Sequence, residues 1–344
     1  MTPSATPAPA SVTLELRRPQ RSLWGDAWRR LITSANGRVG LAICLFLIAI
    51  AVIIPLAQPY DPTADRNLRA RLQPPSWQLS AAERSDKKVT TWTHPFGTDE
   101  LGRDLFVRVL HGAPISLTVG LVAVAVAVIF GSLLGLIAGF VGGWLDTAAV
   151  WVMDILLAFP SILLAIAITS ASNSPDSFST RLANLIAAIP GFRNIVDPQL
   201  FNALIAVSIV EIPVFGRIAR ATVFSIRNQE YITAATALGI SGPRKLFRHI
   251  LPNSLAPMMV QATLSIATAI ISVAALGFLG LGARPPRPEW GTMLSTARDY
   301  VGQGQWWYAT FPGLAIFVVV LAFNILGERV RDALDPASRI YVRS

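Results

Sequence analysis

The chain has 344 residues, of which 53% are hydrophobic and 14% charged, and its mean hydropathy is +0.52. This composition is too apolar for a soluble domain of such a length and indicates a membrane protein with several spans. The net charge of +9 does not indicate nucleic acid as a partner, because the basic residues cluster at the ends of apolar runs, as in membrane proteins.

Residues that usually carry chemistry are sparse. Cys44 is the single cysteine, which excludes a disulfide within the chain, and the three histidines show no metal-ligand spacing. The motifs HExxH, GxSxG and GxxxxGK[ST] do not occur. We therefore predict no catalytic residue, no metal site and no nucleotide or other cofactor bound by this chain.

The first 38 residues are predicted to lie outside the bilayer core. Residues 1–16 are rich in Ser, Thr, Pro and Ala, which predicts disorder. No apolar core precedes residue 39, so we expect no cleavable signal peptide. Four apolar residues then recur at helical spacing among arginines, namely Trp24, Trp28, Leu31 and Ile32. This pattern predicts a basic amphipathic helix along the membrane surface; a solvated helix is the alternative.

Residues 39–57 form the first apolar run, which is long enough to cross a hydrocarbon core at about 1.5 Å per residue. Residues 58–112 follow with eight basic and seven acidic residues and several prolines, and we expect a folded segment outside the membrane. Near its end, Thr98 is predicted to cap an amphipathic helix that has Asp99 and Glu100 in its first turn.

Residues 112–145 and 147–170 form the second and third apolar runs. In the second, glycines recur every fourth residue and predict a face on which another helix packs closely: Gly131, Gly135 and Gly139. General use of glycine in transmembrane helices is the alternative. The third run is broken at Pro160 and carries Asp154. A carboxylate at such a position usually faces a bundle interior or a partner.

Residues 200–215, 255–283 and 311–327 are the remaining apolar runs. The first of them contains Glu211 and ends near Arg217 and Arg220. The loop before the last run holds four aromatic residues suited to a membrane interface: Trp290, Trp306, Trp307 and Tyr308. The predicted organisation is thus six spans, with a five-helix core at 113–330 and a tail at 331–344.

Six spans place both termini on one side, and basic residues indicate which side it is. The side with the termini holds 16 Lys and Arg residues and the opposite side 13. Without the charge-balanced segment 58–112, the second number falls to 5. Basic residues are enriched in cytoplasmic loops, so this count favours cytoplasmic termini and an extracytoplasmic segment at 58–112.

Residues 230–253 lie between two apolar runs but have the pattern of a soluble helix–turn–helix. Asn228 is predicted to cap the first helix and Gly239 to end it. Ser241 is predicted to cap the second helix and Pro252 to end it. The first helix carries small alanines, which suit burial in a groove of another protein. An amphipathic loop on the membrane surface fits the pattern equally well.

The run Ala234, Ala235, Gly239 and Pro252 resembles the EAA loop of ABC importer permeases, which in that family docks into the cytoplasmic ATPase subunit. The chain departs from the motif at Thr233, where glutamate is usual, and at His249, where an aliphatic residue is usual. The resemblance implies a coupling loop at 225–255 whose ATPase-coupling residues are Glu230, Tyr231, Thr233, Ala234, Ala235, Leu238, Gly239, Arg248, Leu251 and Pro252.

The resemblance covers nearly everything after residue 20. The segments HPFGTDELGRD, GGWLDT, DILLAFP, LAPMMVQATLSIA, AALGFLGLG, PPRPEWGTML and RDALDP look like the second permease subunit of dipeptide/oligopeptide ABC importers. The implied fold is an all-α integral membrane protein with six transmembrane helices of the type I ABC importer permease class, in the cell inner membrane. The implied partners are a homologous second permease, two cytoplasmic ATPases that bind ATP and Mg, and an extracytoplasmic solute-binding protein.

The cargo is less closely defined by this resemblance. Peptide, nickel-chelate and glutathione systems share the motifs, and residues 274–294 look most like those of dipeptide permeases. Asp154 and Glu211 have two interpretations: recognition of the amino terminus of a substrate, or structural pairing, for Asp154 with Arg217 or Arg220.

A secondary transporter and an intramembrane enzyme are the two alternative classes of protein for this sequence. A secondary transporter is expected to contain internal repeats with broken helices, and no convincing repeat is present. An intramembrane enzyme needs a nucleophile or a metal cluster at membrane depth, and the sequence offers neither. Uptake that survives loss of the ATPases but collapses with the proton gradient would favour the secondary transporter.

Overall fold

The computed structural model describes residues 23–57, 61, 66–174, 176–187 and 197–334. Within these ranges the chain is helical, and its β-structure is limited to an isolated bridge between Thr98 and Asp104. The predicted disorder at 1–16 lies outside the described residues, as does most of the predicted tail at 331–344.

The described residues form thirteen α-helices: α1 (Leu23–Thr33), α2 (Ala35–Ala57), α3 (Ala81–Asp86), α4 (Leu105–Val141), α5 (Gly143–Ala158), α6 (Ser161–Ser172), α7 (Phe178–Ala187), α8 (Pro198–Arg227), α9 (Glu230–Ala237), α10 (Gly242–Lys245), α11 (Leu251–Phe278), α12 (Trp290–Val301) and α13 (Trp306–Leu334). A 3₁₀ turn lies at Leu68–Ala70, and a π turn at Leu246–Ile250 joins α10 to α11.

Five helical stretches of the described chain are long and apolar enough to cross a membrane: α2, α4, α8, the α10–α11 stretch and α13. The predicted third span is divided into α5 and α6, which meet at an angle of 97° around Phe159 and Pro160. Proline disfavours helical conformation in the residue before it, and Phe159 is extended. If the bent pair is one span, the number of spans is the predicted six.

Helix α1 lies within the predicted amphipathic segment and packs against α13. Leu31 is buried, whereas Trp28 and Ile32 are exposed. The side chain of Trp24 lies outside the described residues. Ser34 separates α1 from α2, and its hydroxyl donates to the carbonyl of Leu31 and accepts from the N–H of Gly37.

The helix predicted to start after Thr98 does not form, and this prediction is wrong. Asp104 caps α4 instead, because its Oδ1 accepts the N–H groups of Phe106 and Val107 at 2.8 and 3.2 Å. Asp99 is buried and binds Nε of Arg103 at 2.6 Å and Nη1 of Arg108 at 3.1 Å. These ion pairs hold Asp99 in a turn before the helix, and α4 then runs for 37 residues through the predicted second span.

Three of the four aromatic residues predicted at the membrane interface are buried instead: Trp290, Trp307 and Tyr308. They belong to a core cluster of α4, α11, α12 and α13. Nε1 of Trp290 donates to the carbonyl of Val109 at 2.9 Å, which satisfies its polar edge inside the protein. Helix α12 is thereby fixed to the bundle by a buried indole.

Candidate functional site

The predicted coupling loop begins where α8 ends. Asn228 closes α8, since its N–H donates to the carbonyl of Ile226, and so it does not cap the next helix as predicted. Gln229 is extended and occupies the N-cap position of α9. The prediction was one residue early because α8 continues to Arg227, seven residues beyond Arg220, near which the fourth span was predicted to end.

Gly239 ends α9 as predicted. Its φ is +74°, in the left-handed region. The N–H of Gly239 donates to the carbonyl of Thr236 at 3.0 Å, and the N–H of Ile240 donates to that of Ala235 at 3.1 Å. This pair of hydrogen bonds is the Schellman arrangement, which satisfies the last carbonyls of a helix.

Pro252 does not end the second helix, so this prediction is wrong. Helix α10 covers only Gly242–Lys245, and the π turn Leu246–Ile250 leads directly into α11. Pro252 is the second residue of α11, directly after the π turn, and the helix continues through it. The chain is therefore continuously helical from residue 242 to residue 278.

Helix α9 packs on the bundle with one side only. Ile232 and Ala235 are buried, and Ile232 belongs to a cluster with residues of α4, α8 and α11. Ala234 is exposed, so the two alanines do not form one face. The other residues predicted to couple to an ATPase are also exposed, apart from the partly buried Leu251: Glu230, Tyr231, Thr233, Leu238, Gly239, Arg248 and Pro252.

The open side of the loop carries four exposed apolar or aromatic side chains among polar ones. Tyr231 and Ala234 on α9 and Leu238 at its C-cap follow one another at helical spacing, and Phe247 lies in the π turn. All four are exposed, with Leu238 at 81%. We call these four residues the coupling surface. Exposed apolar side chains on a helix that packs on the bundle with its other side are typical of a contact with another protein.

Two ion pairs join α8 to the bent helix pair. Arg217 Nη2 lies 2.5 Å from Asp154 Oδ1, so Asp154 has the arginine partner of its structural interpretation. Arg220 binds Asp146 through both oxygens, with Nη2 2.7 Å from Oδ2. Both arginines precede the coupling loop on the same helix, so movement of α8 is linked to movement of α5.

The three glycines of α4 lie against α8. A Cβ at Gly131 or Gly135 would collide with the carbonyl oxygen of Ile212 or Gly216, respectively. A Cβ at Gly139 would lie 3.0 Å from Cβ of Val223. Small residues at such positions let the helix backbones approach closely. The α4–α8 pair is thereby a closely packed unit that extends toward the coupling loop.

A cavity of about 280 Å³ lies between α6, α8 and α11. Its polar lining consists of Ser161, Glu211, Gln261, Ser265, Thr268 and Ser272. Ser265 Oγ donates to Glu211 Oε2 at 3.0 Å, and Gln261 Nε2 donates to Ser265 Oγ at 3.2 Å. None of the ion pairs formed within the described ranges includes Glu211.

Residues 131–340 match the family described as "Binding-protein-dependent transport system inner membrane component". Residues 22–75 match the "N-terminal TM domain of oligopeptide transport permease C". The dipeptide transport system permease protein DppC of Alkalihalophilus pseudofirmus is 45% identical over 97% of this chain and 96% of its own. The di/tripeptide permease DppC of Pseudomonas aeruginosa is 41% identical over 90% and 91% of the two chains. The DppC protein of Escherichia coli is 40% identical over 90% and 92%.

The chain belongs to this family of inner membrane transport components. The predicted membership of the peptide ABC permeases is therefore confirmed, as is the all-helical, multi-pass membrane fold. This permease is a transmembrane subunit of a binding-protein-dependent transport system.

Four polar residues of this permease escaped the sequence-based prediction: Gln261, Ser265, Thr268 and Ser272. They recur at i, i+4, i+7 and i+11 along α11, which places them on one side of the helix. The sequence identified residues 255–283 only as an apolar run. Spacing of the polar residues would have revealed the same stripe.

Proposed function

We propose that this permease forms half of the translocation pathway of an ATP-driven importer of dipeptides or short oligopeptides. The other half is a homologous second permease, and two cytoplasmic ATPase subunits bind ATP and Mg. An extracytoplasmic solute-binding protein delivers the cargo. The observation that carries this proposal is the coupling surface, an open apolar face on a loop anchored to three long helices.

The proposed coupling runs through packed helices. An ATPase groove holds the coupling surface, and Ile232 transmits displacement of α9 to the ends of α8 and α11. The ion pairs of Arg217 and Arg220 then carry the motion to α5, and the glycine contact carries it to α4. A rigid-body rocking of this unit alternates access to the pathway.

Coupling of this kind acts in both directions, because it is a free energy shared between two sites. Cargo-loaded binding protein is therefore expected to stimulate ATP hydrolysis. The orientation is part of the proposal: the termini and the coupling loop face the cytoplasm, and residues 58–112 face the binding protein.

The proposed cargo rests on the similarity to dipeptide and di/tripeptide permeases. Nickel chelates and glutathione are the other cargo classes, and a purified cognate binding protein distinguishes them by the ligand that it retains. Uptake that is driven by a proton gradient in the absence of the ATPases would contradict the whole proposal and indicate a secondary transporter.

A matched pair of substitutions tests the coupling surface in the assembled transporter, reconstituted with ATPases and binding protein. Leu238 and Phe178 are both 81% exposed, but Phe178 lies on α7, away from the loop. Leu238→Asp is expected to lower dipeptide uptake about tenfold or more, because it places a charge in the apolar contact. Phe178→Asp is expected to leave uptake unchanged. Unchanged uptake in Leu238→Asp, with the ATPases still bound, would contradict the proposal.

A further inference from the structure

The cavity between α6, α8 and α11 has a polar wall in a part of the chain that is otherwise apolar. Gln261 and Ser272 mark the ends of the polar stripe on α11, about 16 Å apart along the helix axis. Val207, Val210 and Val214 of α8 line the other wall. Lipid-facing helix surfaces do not usually carry a continuous row of hydrogen-bonding groups, so this wall is suited to polar cargo.

Glu211 is the one charged side chain among the residues that line this cavity. It lies about 20 Å along α8 from Pro198 and about 24 Å from Arg227, so it is far from both helix ends. Its Oε2 accepts from Ser265, and Gln261 in turn donates to Ser265. This chain of hydrogen bonds holds the carboxylate of α8 beside the stripe of α11, at the edge of the cavity.

The other span carboxylates differ from Glu211 in one respect. Asp146 and Asp154 have arginine partners at 2.7 and 2.5 Å, and Arg217 and Arg220 are occupied by these pairs. Glu211 has hydroxyl and amide neighbours but no cation among the described ion pairs. A carboxylate at such a depth in a membrane costs free energy unless a cation pairs with it. The cavity is therefore electrostatically complementary to a positively charged group.

We propose that the cavity is a cargo subsite in which Glu211 is the counter-ion for a protonated amino group, and the stripe of α11 binds the adjoining peptide groups. The inference rests on the proposed function and specifies which part of the cargo this subunit holds. At about 280 Å³ the cavity is near the lower end of small-molecule pockets, about 300–1,000 Å³, which suits one end of a short peptide.

Cysteine labelling tests the charge preference without depending on the selectivity of the binding protein. Ser272→Cys places a thiol in the cavity wall, in a Cys44→Ala background that removes the native thiol of this chain. Thr296→Cys on α12 is the matched control. Ser272 is half-buried and Thr296 is exposed, and each donates its hydroxyl to the carbonyl four residues earlier. The reagents are a cationic ethylammonium thiosulfonate and an anionic ethylsulfonate thiosulfonate.

The cationic reagent is expected to label the Ser272→Cys transporter at least about tenfold faster than the anionic one, and Glu211→Gln is expected to abolish this preference. Thr296→Cys is expected to show no dependence on Glu211. No labelling at Ser272→Cys, or a preference unchanged by Glu211→Gln, overturns the proposal.

Peptide protection identifies the cargo as the source of the cation. The transporter is placed in phosphatidylglycerol vesicles, whose headgroup carries no ammonium, with dialanine-loaded binding protein, ATP and vanadate. The expected result is slower labelling of Ser272→Cys in the presence of dialanine and normal labelling without it. Absence of protection overturns the cargo subsite. ATP-driven dipeptide uptake by the same vesicles tests the proposed function separately, since it can fail or succeed whatever the labelling preference.

Discussion

The carboxylate of Glu289 occupies the space that a side chain on Gly277 would need. A Cβ at Gly277 would collide with Oε2 of Glu289, and the N–H of Thr292 lies 3.1 Å from the same position. Glu289 is fully buried and caps α12 by accepting the N–H groups of Gly291 and Thr292 at 2.7 and 2.8 Å. Glu289, which precedes α12, and Gly277 of α11 thus pack directly against each other, and we call this contact the joint.

Substituting Gly277 with Ala is expected to destabilise the permease by about 1–3 kcal/mol, because the added methyl group displaces the cap of α12. Gly313→Ala is the control, since its Cβ would meet nothing nearer than a leucine methyl at 4.0 Å. Thermal unfolding in detergent compares the two variants. Equal midpoints would show that the joint contributes nothing to stability.

The glycines of α4 are expected to tolerate alanine unequally. The added Cβ of Gly135→Ala would collide with the backbone of α8. The added Cβ of Gly139→Ala would lie 3.0 Å from Cβ of Val223 and 3.2 Å from the carbonyl oxygen of Arg220, so a much smaller shift of α8 relieves the contact. The loss of stability is therefore expected to be about 1–3 kcal/mol for Gly135→Ala and clearly less for Gly139→Ala. The reverse order in thermal unfolding would contradict the packing described here.

Gly239→Pro is expected to uncouple ATP hydrolysis from uptake while the spans stay folded. Proline fixes φ near −65°, which is incompatible with +74°, and it removes the N–H that donates to Thr236. Gly239→Asn is the milder control, because asparagine tolerates the left-handed region. The ratio of peptide imported to ATP hydrolysed is the measurement, and retained uptake in Gly239→Pro counts against the coupling role.

Glu100 is expected to make stability depend on pH. Burial, and then the nearby charge of Asp99, raise the pKa of Glu100 above its ordinary value of 4.5, and Tyr308 donates a hydrogen bond to it. The folded state favours the protonated acid, so its stabilising contribution is full below pH 4.5 and is lost as pH rises through the raised pKa.

Glu100→Gln removes this titration and should gain stability relative to the parent protein as pH rises from 4.5 toward neutrality. Parallel thermal midpoints for the two proteins at pH 4–8 would refute the assignment.

The spans were predictable from sequence because each apolar run is long enough to cross a bilayer, whichever helices it packs against. The ends of the helices were not, since they depend on contacts distant in sequence. Asp99 stays out of α4 because Arg108, a turn inside the helix, binds it. Trp290 was predicted at the membrane interface because an indole suits both that interface and a protein core. Its hydrogen bond to Val109 shows that it belongs to the core.

The coupling loop likewise has some features that were predictable from sequence and others that were not. The Schellman end at Gly239 depends on local backbone geometry and was predicted. The continuation past Pro252 depends on the π turn before it, which no residue pattern indicated. The burial of Ala235 and the exposure of Ala234 depend on the position of the bundle, on which α9 packs through Ile232.

The π turn at Leu246–Ile250 also determines which way the loop faces. A wide turn holds one residue more than the α-helical path requires, and each residue of an α-helix corresponds to a rotation of about 100°. Deleting a single residue there would convert the turn to regular helix and swing α10, with Gly242–Lys245, to another azimuth around the axis of α11. The number of residues in this turn thus sets the direction in which α10 points from the axis of α11, independent of the side chains on α10.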